Sequence, residues 1–359
     1  ELKRNLMAEW WRAMVHSRED IVGLDASIMM HSDVWRSSGH LAGFSDPLVD
    51  CKVCGERFRA DKAPRLAEGE PAPMKLADKG RAKAALERLK DLSETPLTRS
   101  KSTLSGALAG SCGYICPNCG SPFLSDERQF NLMFRTSLGP VDRIGDIINT
   151  VRESLGEGAN DGDIRRKVEE TLADSAVYLR PETAQAMFVN FLNVQQSTGI
   201  KIPFGIAQMG KSFRNEVKVE HFIFRSCEFE QMEMEFFCPP DESQKWYEYW
   251  RDVRYQWWLS LGVSEENLIL RDHGDDEMAH YSQACVDVEY KYPFTAPGYG
   301  ELEGVAHRGD YDLTAHSKGK DNQDSNSKLD YFDQELQVRL QNEGVEKQEI
   351  KERSRYVPH

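Results

Sequence analysis

Four cysteines of this chain stand as two close pairs, Cys51-Lys-Val-Cys54 and Cys116-Pro-Asn-Cys119, each followed at once by a glycine, Gly55 and Gly120. A Cys-x2-Cys knuckle turns tightly enough for both sulfurs to reach one ion, and the glycine permits the turn that brings backbone amides toward the thiolates. Two such knuckles predict a structural Zn2+ held by Cys51, Cys54, Cys116 and Cys119. They must meet in space, so the stretch between them is a surface excursion. Two disulfides or unrelated buried thiols are the alternatives, and Cys112 competes with Cys116 but completes no knuckle. Four thiolates leave no open coordination position, so the ion shapes the fold and performs no chemistry.

The rest of the chain reads as globular. It has 359 residues, 40% of them hydrophobic, and its 45 basic and 59 acidic residues leave a net charge of -14. That hydrophobic content excludes an acidic disordered protein. No stretch approaches the ~18 apolar residues of a membrane span, and the opening ELKRNLMAEWWRAMV has charges where a secretory core would lie. A cytoplasmic protein with no membrane contact is expected. The net charge still allows a local basic surface for a phosphate backbone. The first residue is not Met, so signals upstream of it lie outside this reading.

Leu2, Leu6, Trp10 and Met14 are spaced four apart, which predicts a helix over 1–18. The adjacent Trp10 and Trp11 widen its apolar face, as in a helix packed on its own sheet and on a second subunit; an ordinary core helix accounts for it equally. Residues 61–110 are charged, carry Pro64, Pro71, Pro73 and Pro96, and include the helix-like KGRAKAALERLKDL. The segment Val141–Asp174 places two amphipathic runs about EGANDGD and predicts a helical hairpin. Between Pro203 and Phe237 the pattern is strand, loop, strand. SKGKDNQDSNSK, Ser317–Lys328, reads as a mobile loop. Cys227, Cys238 and Cys285 read as packed thiols.

The strand pair carries the chemistry. In EFEQMEMEFF a period of two puts Met232, Met234 and Phe236 on a core face and Phe229, Gln231, Glu233 and Glu235 on the other. Carboxylates there are costly if buried alone and useful if they line a polar site. Upstream, GKSFRNEV supplies Arg214 and Glu216, two apart on the preceding strand, and KVEHFIF returns to Arg225. Two guanidinium forks suit phosphate oxygens, a carboxylate accepts from an amino group, and a phenyl ring underlies a flat base. There is no glycine-rich phosphate loop.

Phe213-Arg214-x-Glu216, a loop, then Arg225-x3-Phe229 resembles motif 2 of the class II aminoacyl-tRNA synthetases. YLRPETAQAMFVNF, FGIAQMGKSFRNE, FEQMEMEFF and GELEGVAHRGDYDL together resemble the homodimeric glycyl-tRNA synthetases. The resemblance implies an α+β fold, an antiparallel sheet flanked by helices, with a discontinuous catalytic core at 1–50 and 121–359. A zinc-binding insertion would occupy 51–120 and a helical insertion 141–174. It implies activation of glycine with ATP and Mg2+ and transfer to the 3′ end of tRNA(Gly) by a homodimer. Arg214 would hold the α-phosphate and the glycine carboxylate, Glu216 the adenine amino group, Phe229 the adenine face and Arg225 the γ-phosphate, with Asn215, Phe224 and Leu302 completing the ATP site. Glu301 would carry Mg2+ and ATP, and Arg308 would contact phosphate or substrate. Glu182 would take the ammonium of glycine, with Gln231, Glu233 and Arg59 lining that side. Against these stand plainer roles: a helix-start residue for Glu182, a solvated strand edge for Glu301 and Glu303, a surface pair of Arg308 with Asp310. The resemblance also implies that motif 3 and an anticodon-binding domain belong downstream, so the segment alone is expected to be inactive. A non-catalytic or carrier-protein-charging relative is the competing class.

Overall fold

The computed structural model describes residues 1–61, 63–64, 98–100, 103–105, 115–120, 124–138, 144–173, 175–274, 277, 282–295, 297–317, 329 and 331–359. They form two compact units, one of Glu1–His40, Arg135–Phe213 and Glu228–His359, the other of Leu41–Phe134 and Arg214–Cys227. The helix-like KGRAKAALERLKDL, Pro71, Pro73, Pro96, Cys112 and most of the 317–328 tract lie outside the described residues.

In the first unit α1 (Leu2–Trp11) continues through a π-helical turn, Arg12–His16, so the helix expected over 1–18 is present over 2–16. β1 (Ile21–Gly23) runs parallel to a later ten-residue strand, Phe204–Phe213, which pairs antiparallel with Glu228–Phe237 from Phe204↔Phe237 to Phe213↔Glu228. β2 (Met29–His31) is followed by a helix, α2 (Ser32–Ser37). It pairs with Ala176–Leu179, which also pairs with Arg135–Ser137. Among the described residues the strand pairings are antiparallel apart from that of β1, and they form several small sheets where one was expected.

The alternation in Glu228–Phe237 holds. Met232, Met234 and Phe236 pack with Trp10, Met14, Trp250 and Trp258 in one core. Phe237 belongs to a second core, with Phe188, Phe191, Phe204 and Leu313. A strand with helices on both faces buries every other residue against each layer. Trp10 is 3% exposed, and the Trp11 ring lies 2.5 Å from where a Cβ on Gly23 would stand. Both rings are thus engaged within the chain. Ile144–Gly156 and Asp161–Ala173 form the helical hairpin, joined by a Thr150–Thr171 contact of 3.3 Å.

Leu268–Asp272, Ala284–Tyr290 and Gly300–His307 make an antiparallel meander with a bulge between Val288 and Glu289. The helix Ser243–Ser260 carries Trp246, Trp250, Trp257 and Trp258 toward the core and, among them, Arg254 at 3% exposure. Its guanidinium donates to Glu303 at 2.6 and 3.2 Å, lies 4.3 Å over the Trp257 ring and touches Met14 Sδ, while Trp258 Nε1 also donates to Glu303 at 2.6 Å. Glu303 is therefore an internal anchor, not the solvated edge residue its spacing allowed. Arg254→Met leaves that carboxylate without its cation and should cost ~3–5 kcal/mol in urea unfolding, whereas adding Glu303→Leu should return most of the loss.

In the second unit β3 (Ser45–Asp50) lies between β4 (Arg57–Arg59) and β5 (Arg128–Asn131), antiparallel to both. Asp50, at the end of β3, receives Arg57 at 2.7 Å and Arg128 at 2.5 Å. This ties the strand stems beside the first knuckle.

Candidate active site and metal centre

β3 delivers Cys51 to its turn. Gly55 and Gly120 sit at φ 76° and 69°, the left-handed region that costs a residue with a Cβ energy. Their amides donate to Cys51 O at 2.9 Å and Cys116 O at 2.8 Å, closing the two knuckles alike. Cys51 Sγ is 3.6 Å from Cys119 Sγ and Cys54 Sγ is 3.6 Å from Cys116 Sγ, and all four sulfurs lie within 4.8 Å of one another. A tetrahedral ion with Zn–S of about 2.3 Å sets its sulfurs about 3.8 Å apart, so the cradle has the right size. A disulfide needs about 2.05 Å.

In the first unit a cavity of about 530 Å³ is lined by Glu230–Cys238 on one side and Glu301–Gly309 on the other. Gln231, Glu233 and Glu235 come from the face of their strand opposite the methionines, and Gln231 accepts from Ser212 at 2.7 Å. Thr183 donates to Glu233. Arg308, at the turn after Gly300–His307, grips Asp312 with two bonds of 2.7 and 3.0 Å. Asp312 opens the helix Tyr311–Ser317 and is 2% exposed.

Glu182 precedes the helix Ala184–Val189 and meets His40 Nε2 at 3.4 Å and Gln185 Nε2 at 3.0 Å. Burial alone would raise its carboxyl. The hydrogen bond and charge of His40, the charge of Arg308 and the Gln185 amide overcome this and bring it down to about 2. Glu235 goes the other way. Burial first, then the charge of Glu233, with Asp312 and Glu182 adding to both, raises it well above the usual carboxylate range despite Arg308. Two buried carboxyls of the first unit are thus shifted in opposite directions.

Arg180, between these groups and the backbone, is 1% exposed and donates to Lys211 O at 2.8 Å and Ala26 O at 3.0 Å. It fits because residue 210 is glycine: a Cβ there would lie 2.3 Å from Arg180 Nη2.

The other predicted residues divide by unit. Phe229 and Gln231 are half-buried on Glu228–Phe237. Glu301 is exposed on Gly300–His307, and the Leu302 side chain packs into the tryptophan core. Arg214, Asn215, Glu216, Phe224 and Arg225 belong to the second unit. The strand that was to carry Arg214 and Glu216 ends at Phe213. Glu216 N turns back onto Arg214 O at 2.8 Å and Asn215 N bonds Leu132 O at 2.8 Å, so the pair sits in a turn and not on one strand face. Arg214 lies 5.5 Å over the Phe44 ring. Glu220 bridges Arg225, and His221 and Phe222 adopt left-handed φ of 56° and 58° at the loop tip. Arg59 is held by Asp46 at 2.8 Å and Asp61 at 2.7 Å. Sequence reasoning gave no role to His40, Gln185, Asp312 or His316. The Asp-Tyr-Asp-Leu run held Asp312 in plain view, but only the fold brings it to Arg308 and Gln185.

Residues 167–357, more than half of the chain, match the family described as tRNA synthetase class II core domain (G, H, P, S and T). The chain belongs to that family. Within it, the chain is 41% identical over 344 residues to the glycine–tRNA ligase of Thermobifida fusca, covering 95% of this chain and 60% of that protein. It is 42% identical over 340 residues to that of Streptomyces coelicolor and 43% over 339 to that of Geobacillus thermodenitrificans, in each case with 94% of this chain and 60% of the relative. The chain thus spans about 60% of the length of the curated relatives it matches. Among the described residues no helix is long and apolar enough to cross a membrane.

Proposed function

We propose that the protein activates glycine with ATP to glycyl-adenylate and transfers it to the 3′ end of tRNA(Gly), acting as a cytoplasmic homodimer. The observation that carries this reading is the set of hydrogen-bonded acidic and basic side chains, Glu182, Glu233 and Arg308, gathered in one unit, a constellation suited to a small zwitterion. The identity to proteins named glycine–tRNA ligase supports the same reading.

In this reading Glu182 takes the ammonium, Gln231 and Glu233 line the pocket beside it, and Arg308 faces substrate. Arg214 holds the α-phosphate and Glu216 the adenine amino group. Phe229 stacks on the base, Arg225 reaches the γ-phosphate, and Asn215, Phe224 and the Leu302 backbone complete the nucleotide contacts. Arg59 lies within electrostatic range of Glu216 and lines the glycine side. Glu301 holds the Mg2+ that accompanies ATP and neutralises its phosphates. The glycine carboxylate is already a nucleophile at neutral pH, so the residues supply in-line placement and charge stabilisation and no general base. Cys51, Cys54, Cys116 and Cys119 hold a structural Zn2+.

Amino-acid-dependent exchange of pyrophosphate into ATP by the full-length protein tests the assignment. Glycine should exceed alanine by about 100-fold or more, because a pocket crowded with carboxylates rejects a methyl by clash. Equal exchange with alanine or serine, or none with glycine, would overturn it.

A further inference from the structure

Glu182 is gripped from two sides, by His40 and by Gln185, and none of the three lines the cavity. From one side comes His40. Its Nε2 meets Glu182 Oε1 at 3.4 Å, its Nδ1 contacts Ser38 Oγ at 2.8 Å, and the Trp35 ring packs against it in an edge contact at 5.3 Å between centroids. The ring is thus set at both nitrogens and on its flank. From the other side comes Gln185, fully buried, whose Nε2 donates to Glu182 Oε1 at 3.0 Å and to Asp312 Oδ1 at 3.2 Å.

An amide can turn over and present its oxygen instead, which would set an acceptor against two carboxylates. The two carboxylates hold the amide nitrogen toward them, and His316 Nε2, 2.8 Å from Gln185 Oε1, completes that orientation in its Nε2–H tautomer. Burial pushes His316 down to about 4, so it stays a neutral ring with one N–H to give. Arg308 then closes the network on Asp312.

We propose that His40 and His316 are positioning residues: His40 directly, and His316 through Gln185, hold the Glu182 carboxylate in the one orientation that receives the substrate ammonium. The inference rests on the function proposed above for Glu182. It assigns each histidine one atom: Nε2 of His40 on the acid, and Nε2 of His316 on the amide oxygen. Neither touches substrate.

The test uses the full-length protein with His40→Leu and His316→Leu, and the donor-preserving His40→Gln and His316→Gln, whose Nε2 can replace the lost imidazole N–H. His40→Leu should raise KM for glycine by about 10- to 100-fold, the worth of one hydrogen bond to a charged group, and His316→Leu by about 2- to 10-fold, the worth of one to a neutral amide, with KM for ATP within about twofold. The Gln variants should recover most of it. A merely structural role would move KM for both substrates and the unfolding midpoint together, without rescue. A second measurement needs no turnover: a urea-unfolding cycle of His40→Leu and Glu182→Leu should be non-additive, because each removes the same contact. Unchanged KM for glycine in both Leu variants, or an additive cycle, overturns the proposal. Absence of glycine-dependent exchange in the unaltered protein overturns the functional reading instead, and the cycle then decides the His40 contact by itself.

Discussion

Serine at Cys51 or Cys116 is expected to cost the protein one equivalent of bound zinc and to unfold the second unit. The four sulfurs are close enough to repel or cross-link in the absence of an ion, and the two knuckles that carry them close a long excursion of chain. A structural zinc contributes an apparent ~10–16 kcal/mol in small modules, comparable with the whole stability of a typical domain at ~5–15 kcal/mol. Losing one ligand therefore removes more than the surrounding sheet can replace. Among the described residues that sheet has three short strands, β4, β3 and β5, tied at Asp50 by Arg57 and Arg128. Metal analysis of the purified protein should give one zinc per chain, falling to near zero in either variant. Limited proteolysis should open new sites within 41–134. Cys227→Ser and Cys112→Ser should keep the metal. A Cys51→Ser protein that retained a full equivalent, or a Cys112→Ser protein that lost it, would move the ligand set elsewhere.

That cluster of four cysteines was legible because its members come in close pairs, and the spacing Cys-x2-Cys-Gly states the turn each pair makes. The two faces of Glu228–Phe237 were legible for the same reason: a strand's period is local, and the methionines needed only an apolar layer on one side. What could not be read is what depends on contacts far along the chain. Arg254 sits at an apolar position of an aromatic helix stripe, and nothing nearby announces Glu303 as its partner 49 residues later. The bulge at Val288/Glu289 shifts the register of that meander, so the simple alternation of Glu301 and Glu303 could not say which would be exposed. Arg214 and Glu216 were placed on a strand because their spacing suits one, yet the ladder stops at Phe213, where the chain turns to bond Leu132 and Cys227. His40, Gln185 and His316 come from three separate segments and have meaning only around Glu182.

The same logic separates two glutamates that the sequence presents alike. Glutamine is an isostere of a protonated carboxyl and a poor stand-in for an ionised one, so Glu→Gln reads the charge state each site requires. At Glu182, held down to about 2, Glu182→Gln removes the anion that faces the ammonium and should lower kcat/KM for glycine by about 10²–10³-fold, as for an unpaired buried charge partner of ~3–4 kcal/mol. At Glu235, raised by burial beside Glu233, Glu235→Gln should leave kcat/KM within a few-fold at pH 7. Stability follows opposite signs. Glu182 has a folded value below its ordinary 4.5, so its contribution is full above 4.5 and disappears as pH falls toward about 2; Glu182→Gln should flatten that acid limb. Glu235 has a folded value above its ordinary 4.5, so its contribution is full at acid pH and disappears as pH rises through the raised value. Glu235→Gln should therefore match the unaltered protein in acid and exceed it in stability at alkaline pH. Urea midpoints across pH check both limbs. An alkaline midpoint unchanged by Glu235→Gln would mean that burial beside Glu233 does not raise this carboxyl.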